Sequence, residues 1–91
     1  MSDTTTDVDA GAGSDAAEAV LEYLVKAIVD NPDDVQVDTE QARNTRYNVH
    51  VADGDMGRVI GRRGRTAQAI RTVVRAAAAR DDREVDVDFV D

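Results

Sequence analysis

The sequence predicts an α+β domain in the order α-β-β-α-α-β, with a three-stranded sheet covered by helices on one face. Three observations carry that reading. Two long segments place apolar residues at helical spacing, three short segments alternate apolar with polar residues, and a glycine-broken stretch links a short helical run to the second long one. Each alternating segment is apolar on one side only, so the sheet has a single face to bury. At 91 residues the chain has room for one such core, since domains this small bury only about 60 % of their unfolded surface.

Residues 1–14 are small, polar and acidic without apolar periodicity, and read as a disordered tail; the domain is expected over 15–91. Asp15 followed by Glu18 forms a capping pair, after which Ala17, Val20, Leu21, Leu24, Ala27 and Ile28 recur at helical spacing. This predicts a helix over 16–30, stopped by Asn31-Pro32-Asp33. Val35 and Val37 mark a first strand and Tyr47, Val49 and Val51 a second, joined by the polar stretch 41–44. A short helix, capped by Asp53 or Asp55, ends at Ile60. Gly61 to Gly64 breaks the pattern, and a longer helix runs over 65–80 with Ala67, Ile70, Val73, Val74 and Ala77 inward. Val85, Val87 and Phe89 alternate with Glu84, Asp86 and Asp88 to give the third strand.

Charge is distributed unevenly. The formal net charge is −8, which taken alone argues against a nucleic-acid partner. Yet residues 56–80 hold seven arginines (Arg58, Arg62, Arg63, Arg65, Arg71, Arg75 and Arg80) and no acid. Screening acts over roughly 8 Å at physiological salt, so such a stripe operates independently of distant carboxylates. The bland reading of a charge run is a solvated helix face. No cysteine is present, which removes disulfides and thiolate metal sites. The first basic residue is Lys26 with no apolar run before it, and no segment approaches the roughly 18 apolar residues of a membrane span. A cytoplasmic protein without metal, cofactor or membrane contact is the expectation.

The informative stretch is Gly57-Arg58-Val59-Ile60-Gly61-Arg62-Arg63-Gly64-Arg65. Two glycines three apart between helices let the backbone turn sharply and present no Cβ to an incoming strand. The following helix aims its unpaired N–H groups and positive dipole end at the loop, a position suited to phosphate. Arg62 and Arg63 add fork-shaped donors matched to phosphate oxygens. Val59 and Ile60, beside the loop, are expected to floor an apolar groove.

Val59-Ile60-Gly61-Arg62-Arg63-Gly64 resembles the core of the KH family, V-I-G-x-x-G-x-x-I-x-x-I; Ala67 stands where the family commonly has isoleucine, and Ile70 is in step. The element order is similar to that of type II, or bacterial, KH domains. Closer still is a resemblance to the short bacterial single-KH proteins, the KhpA-like family, over about residues 16–91. Lys26 to Pro32 matches the end of that family's first helix, Gly57 to Arg71 its core, and Val90-Asp91 its terminus. The resemblance implies a non-catalytic protein, a post-transcriptional regulator or RNA chaperone, that clamps about four nucleotides of single-stranded RNA. Gly61 and Gly64 then allow close approach and Arg62 and Arg63 meet phosphates, with Arg58, Ile60 and Arg65 alongside. It implies a homodimer too, and a larger KH-containing RNA-binding partner, so the alternative reading is a dimeric protein-interaction module. Two departures matter. Asp81-Asp82-Arg83-Glu84 is acidic where the family is often basic, at the loop that walls the groove in type II domains; Arg58 replaces lysine and keeps the charge.

Other classes fit less well. A phosphate-binding P-loop needs G-x-x-x-x-G-K-S/T, but Gly64-Arg65-Thr66 lacks the lysine and Val59 stands at the first glycine. A helix-turn-helix would have a very short first helix and, apart from Gln68, none of the amides that read base edges. An RRM needs sheet aromatics, whereas Tyr47 and Phe89 alternate with valines and read as core. His50, the one histidine, falls on the outward face of its strand with no partner for metal or acid–base work.

Overall fold

The computed structural model describes residues 15–90; the tail expected over 1–14 and the terminal Asp91 lie outside them. The elements are α1 (Ala16–Ile28), β1 (Gln36–Gln41), β2 (Thr45–His50), α2 (Met56–Ile60), α3 (Arg65–Ala79) and β3 (Val85–Val90), in the expected order.

α1 begins where the cap predicts. The Asp15 carboxylate accepts from the backbone N–H of Ala17 at 3.1 Å and of Glu18 at 3.3 Å. Ala17, Leu21 and Val25 are its buried stripe. The helix stops two residues before the predicted end: Val29 is already extended (φ −82°, ψ 160°) and turns its side chain into the core. Pro32 disfavours helical geometry at Asn31, and a single 3₁₀ turn over Pro32–Asp34 leads into β1.

The sheet order is β1-β2-β3, with β1 antiparallel and β3 parallel to β2. Parallel pairing of β2 with β3 requires a crossover, and α2, the glycine loop and α3 are that crossover. Val37 lies opposite Val49, Thr39 opposite Tyr47, and Tyr47 opposite Val87. The fully buried side chains Tyr47, Leu21, Val25, Val49, Val59 and Val74 come from both layers, so the core lies between sheet and helices.

Two expectations are corrected. Val73 is not inward but 47 % exposed, while Ala78, not anticipated, is 1 % exposed. The buried stripe of α3 is Ala67, Ile70, Val74 and Ala78, and at 100° per residue Val73 falls well to its side. Nor does Asp55 cap α2 with its side chain. Its backbone carbonyl receives the N–H of Arg58 and Val59, but its carboxylate, 2 % exposed, accepts from Asp30 N (3.3 Å), Asn31 N (3.0 Å) and Asn31 Nδ2 (3.1 Å). Asp55 thus fastens the end of α1 to the start of α2. Burial alone would raise its pKa, but the bonds from Asn31 and Asp30 and the Arg58 charge together hold the carboxyl below its ordinary range.

Candidate nucleic-acid interface

Gly61 is the hinge of the site. It adopts φ 76°, ψ 177°, and its N–H closes α2 on the carbonyl of Gly57 at 2.9 Å. A β-carbon built there would overlap Oγ1 and Cβ of Thr66 and lie 3.0 Å from the Thr66 nitrogen. Gly64 has φ 73° and ψ 13°, yet a β-carbon on it meets nothing within 4 Å. The two glycines therefore serve differently: Gly61 permits the packing of loop on helix, while Gly64 leaves open room beside the loop. Arg63 takes the left-handed region as well, at φ 57°.

Arg62, Arg63 and Arg65 are exposed, and no carboxylate lies within 4 Å of them among the described residues. Arg65 opens α3, so these three charges add to its positive dipole end. Arg58 differs, since its Nη2 lies 3.1 Å from Oδ2 of Asp30. Ile60 is half-buried and packs against the core. Val59 is 0 % exposed, so it belongs to the core and does not floor a groove. Of the residues singled out in sequence, Gly61, Arg62, Arg63, Gly64 and Arg65 are contiguous around one turn, and Arg58 and Ile60 lie in the short helix α2 that leads into it.

Sequence reasoning missed the far side of this surface. Arg71 and Arg75 project from α3 to the outer edge of β3: Arg71 Nε donates to the carbonyl of Val87 at 3.1 Å, and Arg75 Nη2 lies 3.5 Å from Asp86 Oδ1. A cleft of roughly 330 Å³ continues along the same edge, lined by Arg75, Ala79, Arg83, Glu84, Val85 and Asp86 among others. The spacing of Arg71 and Arg75, one turn apart on α3, was visible, but which neighbour they face depends on sheet order.

The acidic segment after α3 is tied inward by its one base. Arg83 Nη1 donates to Asp15 Oδ1 at 2.8 Å and Nη2 to Thr45 Oγ1 at 3.3 Å, while the Tyr47 hydroxyl donates to Asp15 Oδ2. Burial and then the bond to Asp15 push the Tyr47 hydroxyl pKa far above its ordinary value. Burial would raise Asp15, but the bonds from Arg83 and Tyr47 outweigh it and hold the carboxyl low. His50, expected to be an unpartnered surface residue, is half-buried and lies 3.1 Å from Asp38 across the sheet. Among the described residues no group of three His, Cys, Asp or Glu is placed to hold a metal, and no helix is long and apolar enough to cross a membrane.

A three-stranded mixed sheet, one helical layer and a Gly-Arg-Arg-Gly loop between the paired helices define a KH domain of the type II arrangement. The family model described as the KhpA/KhpB KH domain matches residues 18–89. The chain belongs to that family. It is 57 % identical over 76 residues to the "RNA-binding protein KhpA" of Streptomyces coelicolor, covering 80 % of this chain and 96 % of that one. It is 53 % identical over 72 residues to the protein of the same name from Mycobacterium tuberculosis H37Rv, covering 78 % and 86 %. With that of Halalkalibacterium halodurans it shares 41 % over 75 residues, covering 81 % and 99 %.

Proposed function

We propose that this chain is a non-catalytic RNA-binding protein that holds single-stranded RNA by its backbone at Gly61–Gly64. The observation that carries the reading is the set of three exposed arginines, Arg62, Arg63 and Arg65, with no carboxylate partner among the described residues and open room beside Gly64. Phosphate oxygens supply the negative counter-charge for these guanidinium groups, and the positive dipole end of α3 favours an anion at the same place. The names of the relatives support the ligand class. A clamp on backbone rather than base edges suits a cytoplasmic post-transcriptional regulator or RNA chaperone, which must accept many sequences. The test is Arg62→Asp with Arg63→Asp, assayed on a single-stranded oligonucleotide beside thermal melting. Binding is expected to vanish while the melting temperature holds, because both side chains are solvated. Unchanged affinity would sink the site.

A second reading concerns assembly. Val73 (47 % exposed) and Tyr23 (73 % exposed) are large apolar residues on the outer side of α3 and α1, the two helices that line a groove of Ala16, Val20, Ala77, Arg80 and Asp81. This favours pairing with a second copy through the helical layer, away from the loop. Sedimentation of the wild type and of Val73→Asp across a concentration series tests it. A wild type that stays monomeric while associating with a larger KH-containing protein would assign the face to that partner instead.

A further inference from the structure

β3 is an outer strand, and Arg71 reaches its backbone from α3. Its Nε donates to the Val87 carbonyl at 3.1 Å, and its Cζ lies 5.4 Å from the centroid of the Phe89 ring, within the range of a cation–π contact. Such an arginine on an edge strand blocks unwanted strand pairing, and that is the purely structural account. Arg75, one turn on, fits this account fully because Asp86 matches its charge at 3.5 Å. Arg71 does not. No carboxylate lies within 4 Å of it among the described residues, although Asp86 and Asp88 flank Val87 on the same strand, and its two Nη groups have no partner among the described residues. The guanidinium is thus fixed at one nitrogen with its Cζ over one ring, and no described carboxylate pairs with it.

A guanidinium held in place is a planar group on which nucleobases stack. Its place along α3 fits the clamp. Arg71 is seven residues beyond Gly64, about 10 Å at the helical rise, which is about three stacked nucleotides. That lies inside the four-nucleotide span of a KH loop.

We infer that Arg71, fixed over Phe89 at the outer edge of β3, is the base-stacking position of this surface and takes one nucleobase of the clamped strand on its guanidinium. The inference rests on the clamp reading and adds selectivity to it: purines, with the larger π face, are preferred over pyrimidines. Affinities for decamers of oligoadenosine and oligouridine, measured on wild type, Arg71→Lys and Phe89→Leu, test it. Wild type is expected to favour oligoadenosine. Arg71→Lys keeps the charge and loses the plane, so it should weaken oligoadenosine binding about five- to hundredfold, the range that base stacking carries. The preference should narrow and the salt slope stay as it was. Phe89→Leu should act in the same direction. Wild-type affinity and base preference in Arg71→Lys, with binding still abolished by Arg62→Asp and Arg63→Asp together, would overturn the inference and leave the clamp standing. Full affinity in that double variant would overturn the clamp itself. Should Arg71→Lys lower the melting temperature, the wild type decides alone, and equal affinity for the two decamers refutes the stacking position.

Discussion

Gly61 and Gly64 look equivalent in a G-x-x-G motif and are not. Both have positive φ, but only at Gly61 does the space for a side chain already belong to Thr66. Gly64→Ala is expected to cost about 1–2 kcal/mol, the usual penalty for a left-handed residue with a Cβ. Gly61→Ala adds the displacement of the first turn of α3, so its cost should be clearly larger. Urea unfolding of the two variants checks the ranking, and equal losses would show that the Thr66 contact yields freely. The arginines are likewise unequal. Asp30 already balances Arg58, whereas Arg62 and Arg63 have no acid within 4 Å among the described residues. Arg58→Ala should therefore reduce RNA affinity less than Arg62→Ala, and Asp30→Asn should raise it. An Asp30→Asn variant that binds no more tightly would argue that Arg58 stands apart from the clamp.

At the scale of elements, the two ends of the helical layer are set by acids in unusual places. α3 closes in a Schellman turn, with Asp82 N on the Ala79 carbonyl at 3.0 Å and Arg83 N on the Ala78 carbonyl at 3.0 Å. Asp82 holds the left-handed position at φ 57°, where glycine is the usual residue. Asp82→Gly is expected to stabilise by roughly 0.5–1 kcal/mol, read from the urea midpoint; a loss would mean that the side chain contributes more than its backbone strain costs. The turn aims Arg83 at Asp15, so one carboxylate caps α1 and anchors both Tyr47 and the start of β3. Asp15→Ala should exceed the ~1 kcal/mol of a lone cap, since it also orphans the Tyr47 hydroxyl and the Arg83 guanidinium. The pH dependence has a definite sign. Asp15 and Asp55 have folded pKa values below their unfolded ones, so their stabilisation is complete above the ordinary carboxylate range and is lost as pH falls through the folded values. Glu18, raised by burial and by the Asp15 charge, acts in the opposite direction and softens the acid limb. At the alkaline end, stability should fall once tyrosine ionises in the unfolded chain, near pH 10, because the folded Tyr47 resists it. Melting curves from pH 2 to 11 on wild type and Asp15→Asn separate these contributions; identical acid limbs would exclude Asp15 from the transition.

Over the whole molecule, charge is segregated by face. The outer surface of the sheet exposes Asp38, Glu40, Asp86 and Asp88 around Arg46, while the loop and the start of α3 carry Arg62, Arg63 and Arg65, which have no carboxylate within 4 Å among the described residues. A net charge of −8 does not by itself exclude an anion at the loop, because no described carboxylate lies within 4 Å of Arg62, Arg63 or Arg65 and salt screens charges beyond roughly 8 Å. A clamp of few phosphates predicts a shallow salt dependence, with a log–log slope of about −1 to −3 at roughly −0.7 per contact on single strands. A steeper slope, or equal affinity for duplex, would point to a broader basic surface than the loop. Such a clamp would make binding by one domain weak, and pairing of two copies would then raise avidity by as much as 10² to 10⁴.

The sequence by itself determined the element order, the single apolar face of each strand, the Asp15 cap and the position of the glycine loop. These follow from local periodicity and backbone chemistry, which a few adjacent residues express. The site's charged loop was legible for the same reason: Gly61 to Arg65 are contiguous. Tertiary structure decided what those residues meet. Val59 and Ile60 are neighbours in the chain, yet one is sealed in the core and the other half-open, because the rotation of a five-residue helix is set by packing and not by its own pattern. Val73, expected inward, faces out and Ala78 is buried because the buried stripe of α3 is chosen by where α1 and the sheet lie. Asp55 reached Asn31, Arg83 reached Asp15, and Arg71 reached Val87 and Phe89 across 24, 68 and 16 positions in the Asn31, Asp15 and Val87 bonds. Long-range pairing of charged and polar groups carries no local signature, so only the folded chain could bring those partners together.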